Sequence, residues 1–217
     1  MKKVYALLLG TTAAALVTGA AWSADLNIGV QTEPSAIDPH FHNNPWTLMV
    51  MQHFFGTITE QDEKQRIVPG LAESWELIDD NTWEFKLRSG VKFQDGTPLT
   101  VDDILFTVER SQDVPGSPTN TGRFLTLSGK KYSKIDDLTF RVATENPYPT
   151  MASDLSVTHI ISEKNGKGAT TADYASGKAT IGTGPYKFTE WLRGDRVVMV
   201  ANPNFWAGKP KWNKVTL

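Results

Sequence analysis

Alternation of apolar and polar positions is strongest between Gly70 and Arg110, in the run GLAESWELIDDNTWEFKLRSGVKFQDGTPLTVDDILFTVER. Ser74 to Leu77 and Thr82 to Leu87 read as two antiparallel strands joined by the turn formers Asp79, Asp80 and Asn81. Trp83, Phe85 and Leu87 share one face by period two, and Glu84, Lys86 and Arg88 share the other, so one side is buried and one wetted. Val91 to Phe93 alternates again and stops at Asp95-Gly96, since Pro98 cannot donate to a ladder. Thr100 stands three residues before Asp103, the spacing of a capping box. The spacing predicts a helix from there, with Val101, Ile104, Leu105 and Val108 on one face and Asp102 and Asp103 at the positive end of its dipole.

Elsewhere the same reading predicts a first strand over Asp25 to Gln31 with Leu26, Ile28 and Val30 inward. Turn signals follow at Glu33-Pro34 and Asp38-Pro39. A helix over Trp46 to Phe55 is led by Pro45, a favoured first helical residue, and Leu48, Met49, Gln52 and Phe55 mark its successive turns. Thr57 to Thr59 begins a strand, and Asp62 to Gln65 is a turn. Asp113 to Gly122 is a loop rich in proline and glycine, of a length that is often functional. Ile135 to Asp137 and Thr139 to Ala143 form a hairpin, Met151 to Leu155 a short helix, and Val157 to Ile161 a strand. Asn165 to Gly168 is a turn and Ala172 to Ala175 a helix fragment. Tyr186 to Leu192 and Val197 to Ala201 make a last hairpin about Arg193-Gly194-Asp195, and Val215 to Leu217 reads as the start of a strand.

The first residues carry a different pattern. Lys2 and Lys3 precede a mostly apolar run, Val4 to Ala20, and then small residues, which is the signature of a secretory signal peptide over 1–23. Cleavage after Ser23 puts Ala21 and Ser23 at the two small-residue positions, whereas cleavage after Ala24 would put Trp22 at one of them. Over the whole chain 22 basic residues stand against 24 acidic ones, a net charge of −2, and loss of Lys2 and Lys3 makes the balance more acidic still. Nothing in that balance favours nucleic acid. There is no cysteine, so neither disulfides nor a lipid anchor on a cysteine is expected.

The order AESWE, DNTWEFKLRSGVKF, DGTPLTVDDI, then Glu109-Arg110, resembles the family 5 extracellular solute-binding proteins, the dipeptide, oligopeptide and nickel receptors of ABC importers. A second block, Ile181-Gly182-Thr183-Gly184-Pro185-Tyr186-Lys187-Phe188, then Trp191, Gly194-Asp195-Arg196 and Asn202-Pro203-Asn204-Phe205-Trp206, is similar to the family's GTGPY segment, strand pair and asparagine-proline turn. Ile37-Asp38-Pro39 stands where the family has its leucine-aspartate-proline turn. The resemblance implies an α/β fold like the type II periplasmic binding proteins, here a first lobe without the second. Its core would be 24–57 and 169–217, with 58–168 as an inserted, hairpin-rich subdomain. It also implies a monomer, free in the periplasm, that captures a small solute, most often a short peptide, and delivers it to an ABC permease in the inner membrane. Because the family pattern continues past Lys209-Pro210-Lys211 into a second lobe, the isolated chain is expected to bind its ligand weakly or not at all. A nickel, opine or sugar receptor of the same family, or an accessory or enzyme-like domain on the same lobe, is the alternative.

His40 and His42 form an H-x-H whose rings would share a side of an extended chain, a workable pair for nickel or zinc, but two histidines underfill a divalent site. The resemblance places the residues just after the first strand against the ligand, which makes His40, Phe41, His42 and Asn43 better cleft wall than metal ligands. It also matches Ser117 to Phe124 to a loop facing the ligand, with Asn120, Arg123 and Phe124 as candidates. Arg123 reads either as a planar fork for a carboxylate or as a solvated loop charge. Trp75, Trp83, Trp191 and Trp206 sit in strand or turn blocks where core packing is the commoner fate. No cofactor is implied. Enzyme signatures fail: there is no G-x-S-x-G, P-loop or H-E-x-x-H, and Pro185 spoils Gly182-Thr183-Gly184 as a dinucleotide turn.

Overall fold

The computed structural model describes residues 24–41, 44–114, 116–117 and 127–217. Two four-stranded sheets, each with its own buried cluster, organise them. The first has the order β1-β10-β9-β8, built from β1 (Asp25–Asn27), β8 (Tyr186–Leu192), β9 (Arg196–Ala201) and β10 (Lys214–Thr216). β1 and β10 are parallel, and the other pairs are antiparallel. The second has the order β4-β5-β7-β6, from β4 (Ala72–Asp79), β5 (Thr82–Leu87), β6 (Lys131–Lys134) and β7 (Thr139–Ala143). A small pair, β2 (Thr59–Gln61) and β3 (Ile67–Pro69), lies between them in the chain.

In the second sheet the apolar alternation becomes a row of rings. Trp75 registers with Phe85 and Phe85 with Phe140, and the Phe85 and Phe140 rings stack at 5.2 Å. Against this face packs α2 (Val101–Gln112), with Val101, Ile104 and Val108 in the cluster. The amide of Thr100 donates to Asp103 Oδ2 at 2.9 Å, and the other oxygen of Asp103 accepts the amide of Glu163 at 2.8 Å. One carboxylate therefore both starts α2 and fastens the short α4 (Glu163–Gly166) to it. Burial pushes the Asp103 carboxyl up, only partly opposed by those amides.

α1 (Pro45–Phe54) begins with Asn44 accepting the Trp46 amide at 2.9 Å and Pro45 in the first turn. Its buried residues are Thr47, Val50, Met51 and Phe54, so the face expected at Leu48, Met49 and Gln52 is corrected by about one position, although Phe55 just beyond the helix is buried. The stretch is apolar nearly all round, and packing against the first sheet's cluster decides its rotation. α3 (Met151–Leu155) and α5 (Thr171–Ala175) match their expected places.

Three further expectations are corrected. β1 ends at Asn27, and Ile28 is 39 % exposed, because the ladder to β10 closes with the Ile28 amide on the Thr216 carbonyl. β6 precedes Ile135: Asp136 accepts the Leu138 amide at 2.8 Å and turns the chain there, leaving Tyr132 to face Val142. Val157 to Ile161 is no strand, being held by one bridge between Thr57 and His159 and the Ile160 amide on the Gly56 carbonyl. The strand expected at Val215 is present as β10, which lies between β1 and β9 with Val215 buried in the cluster.

Candidate functional site

Residues after β1 run along the end of the first sheet toward which β1 and β10 both point, the end at which open α/β sheets take ligands. Two hollows open there and share Trp191 as a wall. The first, about 240 Å³, is lined by Val30 to Pro34, Val50, Trp191, Gly194 to Val197 and Leu217. The second, about 510 Å³, is lined by Ser35, Ala36, Phe41, Thr171, Ala172, Trp191 and Arg193 among others. The β8–β9 turn thus separates the two spaces, and the segment 30–41 floors both.

Trp191 is fixed from two sides. Its indole Nε1–H donates to Glu33 Oε2 at 3.3 Å, an oxygen that also accepts the Gly194 amide at 3.0 Å. The Arg193 guanidinium lies over the ring, 4.1 Å from its centre. Among the described residues, the second oxygen of Glu33 carries no hydrogen bond from the protein. Arg196, the next cation in the turn, is committed to Glu190 at 3.0 Å and Asp195 at 2.6 Å.

Beneath the floor lies a buried polar hub. Asp38, with no exposed surface, takes Arg110 Nη1 at 3.0 Å and Nη2 at 2.6 Å, Thr171 Oγ1 at 3.0 Å and the His40 amide at 3.1 Å. Burial alone would raise the Asp38 carboxyl, but the Arg110 hydrogen bonds and charge hold it below the ordinary carboxylate value. Arg110 also lies over the Tyr174 ring at 4.6 Å. His40 Nε2 reaches the His159 carbonyl at 2.9 Å and Nδ1 lies 3.1 Å from Arg110 Nη1. A carbonyl can only accept and a guanidinium only donate, so the ring is the neutral tautomer protonated at Nε2.

Of the residues singled out from sequence, Phe41 lines the larger hollow, while His40 is turned inward with both ring nitrogens engaged. His42, Asn43, Asn120, Arg123 and Phe124 lie outside the described residues. Sequence reasoning did not single out Glu33 or Arg193, and it assigned Trp191 to the core. Trp191 does pack against the first sheet's cluster, but it also walls both hollows. The remaining tryptophans Trp75, Trp83 and Trp206 pack against the other cluster.

This mixed α/β arrangement of two four-stranded sheets and short helices matches the fold of solved periplasmic binding proteins. The chain belongs to the bacterial extracellular solute-binding proteins, family 5, whose model, described as "Bacterial extracellular solute-binding proteins, family 5 Middle", matches residues 66–217. It is 28 % identical to the periplasmic oligopeptide-binding protein OppA of Salmonella typhimurium over 95 % of this chain and 44 % of OppA. To the oligopeptide-binding protein AppA of Bacillus subtilis it is 28 % identical over 88 % of this chain and 36 % of AppA. Among solved structures, the murein tripeptide binding protein MppA of Escherichia coli superposes with a TM-score of 0.81 at 25 % identity, covering 90 % of this chain and 42 % of MppA. AppA in complex with a nonapeptide gives 0.77 at 28 % identity, over 89 % and 39 %. The chain therefore spans about two fifths of the length of these relatives, all named as binding proteins. No helix among the described residues is long and apolar enough to cross a membrane.

Proposed function

We propose that the chain forms the first lobe of a periplasmic receptor that captures a short peptide against the Glu33–Trp191–Phe41 face and delivers it to an ABC permease. The observation that carries this reading is the pair of hollows sharing Trp191 at the end of the β1–β10 pair. An aromatic wall beside a held carboxylate with one oxygen open suits a ligand bearing both apolar side chains and amide or ammonium donors. OppA and AppA are named for oligopeptides and MppA for a murein tripeptide, which favours peptides within the family. His40 then supports the wall on which Phe41 stands. The division into a core, 24–57 and 169–217, and an insert, 58–168, is supported by the two separate buried clusters. Binding rather than catalysis, and a monomeric lobe acting with a membrane permease, complete the reading.

Thermal shift against a dipeptide and tripeptide library tests it, because a ligand that binds only the folded state raises the melting temperature by mass action. At least one peptide should shift the wild-type chain, and Trp191→Ala should abolish most of that shift while the chain stays folded. Shifts by sugars or nickel chelates assayed beside the library, with none by any peptide, would sink the peptide reading. The charged start and the Ala21-Trp22-Ser23 end support export: amino-terminal sequencing of periplasmic material should begin at Ala24 or Asp25, and an intact Met1 there would contradict it.

A further inference from the structure

Resting on that binding face, we propose that Arg193, laid on Trp191 at the rim of the hollow walled by Phe41, is an anion subsite that selects ligands with a free carboxylate. The side chains lining the hollow have little hydrogen-bonding capacity to spare. Ser35 Oγ is 3.1 Å from Thr47 Oγ1, Thr171 Oγ1 donates to Asp38 at 3.0 Å, and Ser176 Oγ donates to the Asp173 carbonyl at 3.0 Å. The Trp191 indole N–H is given to Glu33. Among the described lining side chains, that leaves Arg193 as the donor not already bonded within the protein.

Its charge is equally uncommitted. No ion pair involves Arg193 among the described residues, whereas Arg196 in the same turn is neutralised by Glu190 and Asp195. Glu33, the acid beside the turn, is tied to the edge of Trp191, and Arg193 lies on its face; the two do not pair. A guanidinium over an indole is held by the ring without using its N–H groups as donors to the protein, and its planar fork can take a carboxylate through two parallel hydrogen bonds. Trp191 and Phe41 then supply apolar surface for the atoms next to that carboxylate. Arg193 is exposed, so the subsite contributes selectivity more than raw affinity.

The test uses the ¹⁵N-labelled 217-residue chain and the Trp191 indole N–H signal, identified by its loss in Trp191→Phe. Trialanine and trialanine amide are the probes, differing at the carboxylate alone. In the wild-type chain trialanine should titrate the signal at roughly five- to tenfold lower concentration than the amide. Arg193→Ala, at an exposed turn that leaves the fold intact, should make the two peptides equal, and Arg193→Lys should restore only part of the preference, since a point charge lacks the planar fork. Equal titration by both peptides in the wild type would overturn the carboxylate subsite while leaving the peptide-binding face standing. A preference that survives Arg193→Ala would overturn it as well. If neither peptide moved any signal of this face, the binding reading and the subsite would fall together.

Discussion

Replacing Gly182 by alanine is expected to cost about 3 kcal/mol or more and to lower the melting temperature by roughly 6–12 °C, the scale for a chain of this size. A Cβ built on Gly182 would lie 2.1 Å from the Phe54 carbonyl oxygen and 2.7 Å from Phe55 Cδ1, and one on Gly184 would lie 2.6 Å from the His53 carbonyl oxygen. The two carbonyl oxygens are backbone atoms at the end of α1, so no rotamer change relieves those contacts. The approach is close because the chains are bonded there: the Gly184 amide donates to the Phe54 carbonyl at 2.9 Å, and the Gln94 amide to the Gly182 carbonyl at 2.9 Å. Gln94 Nε2 adds a donor to the Tyr186 carbonyl at 2.7 Å. The segment thus joins α1, the 91–99 turn region and the start of β8, and pushing it out would disturb both clusters. Gly29→Ala is the control, since nothing lies within 4 Å of its Cβ; it should change stability by less than about 1 kcal/mol. Urea unfolding of the three chains decides the matter, and equal midpoints for Gly182→Ala and Gly29→Ala would show that the α1 end yields easily.

What could be read from the chain alone follows the range of the interactions. The β4–β5 hairpin and the start of α2 were legible because alternation, the Asp79 to Asn81 turn and the Thr100–Asp103 spacing act within a few residues. The rotation of α1 was not, because Trp46, Leu48, Met49, Val50, Met51, Phe54 and Phe55 leave no polar stripe to orient it. Ile135 was read as part of a hairpin strand, yet the Asp136 carboxylate accepts the Leu138 amide and turns the chain there. The expectation for the site came from a family likeness that points to residues after the first strand; of these, Phe41 lines a hollow, and Glu33, which the likeness did not single out, lines the neighbouring one. Arg193-Gly194-Asp195 was legible as a turn. That the turn would lay Arg193 on Trp191 and set both against Glu33, some 160 positions earlier, has no local signature. The partnership of Asp38 with Arg110 is hidden for the same reason, although both residues stood inside segments that had drawn notice.

That partnership carries the second large effect: Asp38→Asn should cost about 3–5 kcal/mol at neutral pH, the range for removing one partner of a buried ion pair. The side chain of Arg110 is 9 % exposed, and without the carboxylate its charge would be left, among the described residues, against His40 Nδ1 and the Tyr174 ring. Asp38→Leu combined with Arg110→Met should be less harmful than Asp38→Asn alone, because an apolar pair leaves no stranded charge. The same bond sets a pH dependence. The folded Asp38 pKa is lowered from the ordinary 3.8, so its contribution is complete above that value and is lost as pH falls below it toward the folded pKa. Urea midpoints of the wild-type chain should therefore drop on acidification below about pH 4 more steeply than those of Asp38→Asn, and the two curves should converge. Since Thr171 Oγ1 and the His40 amide hang from the same carboxylate, the variant should also loosen the wall that presents Phe41, and peptide-induced thermal shifts should shrink with it. Equal stability of the two chains at pH 7 would show that Arg110 finds water or another partner, and that the hub does not hold the floor of the binding face.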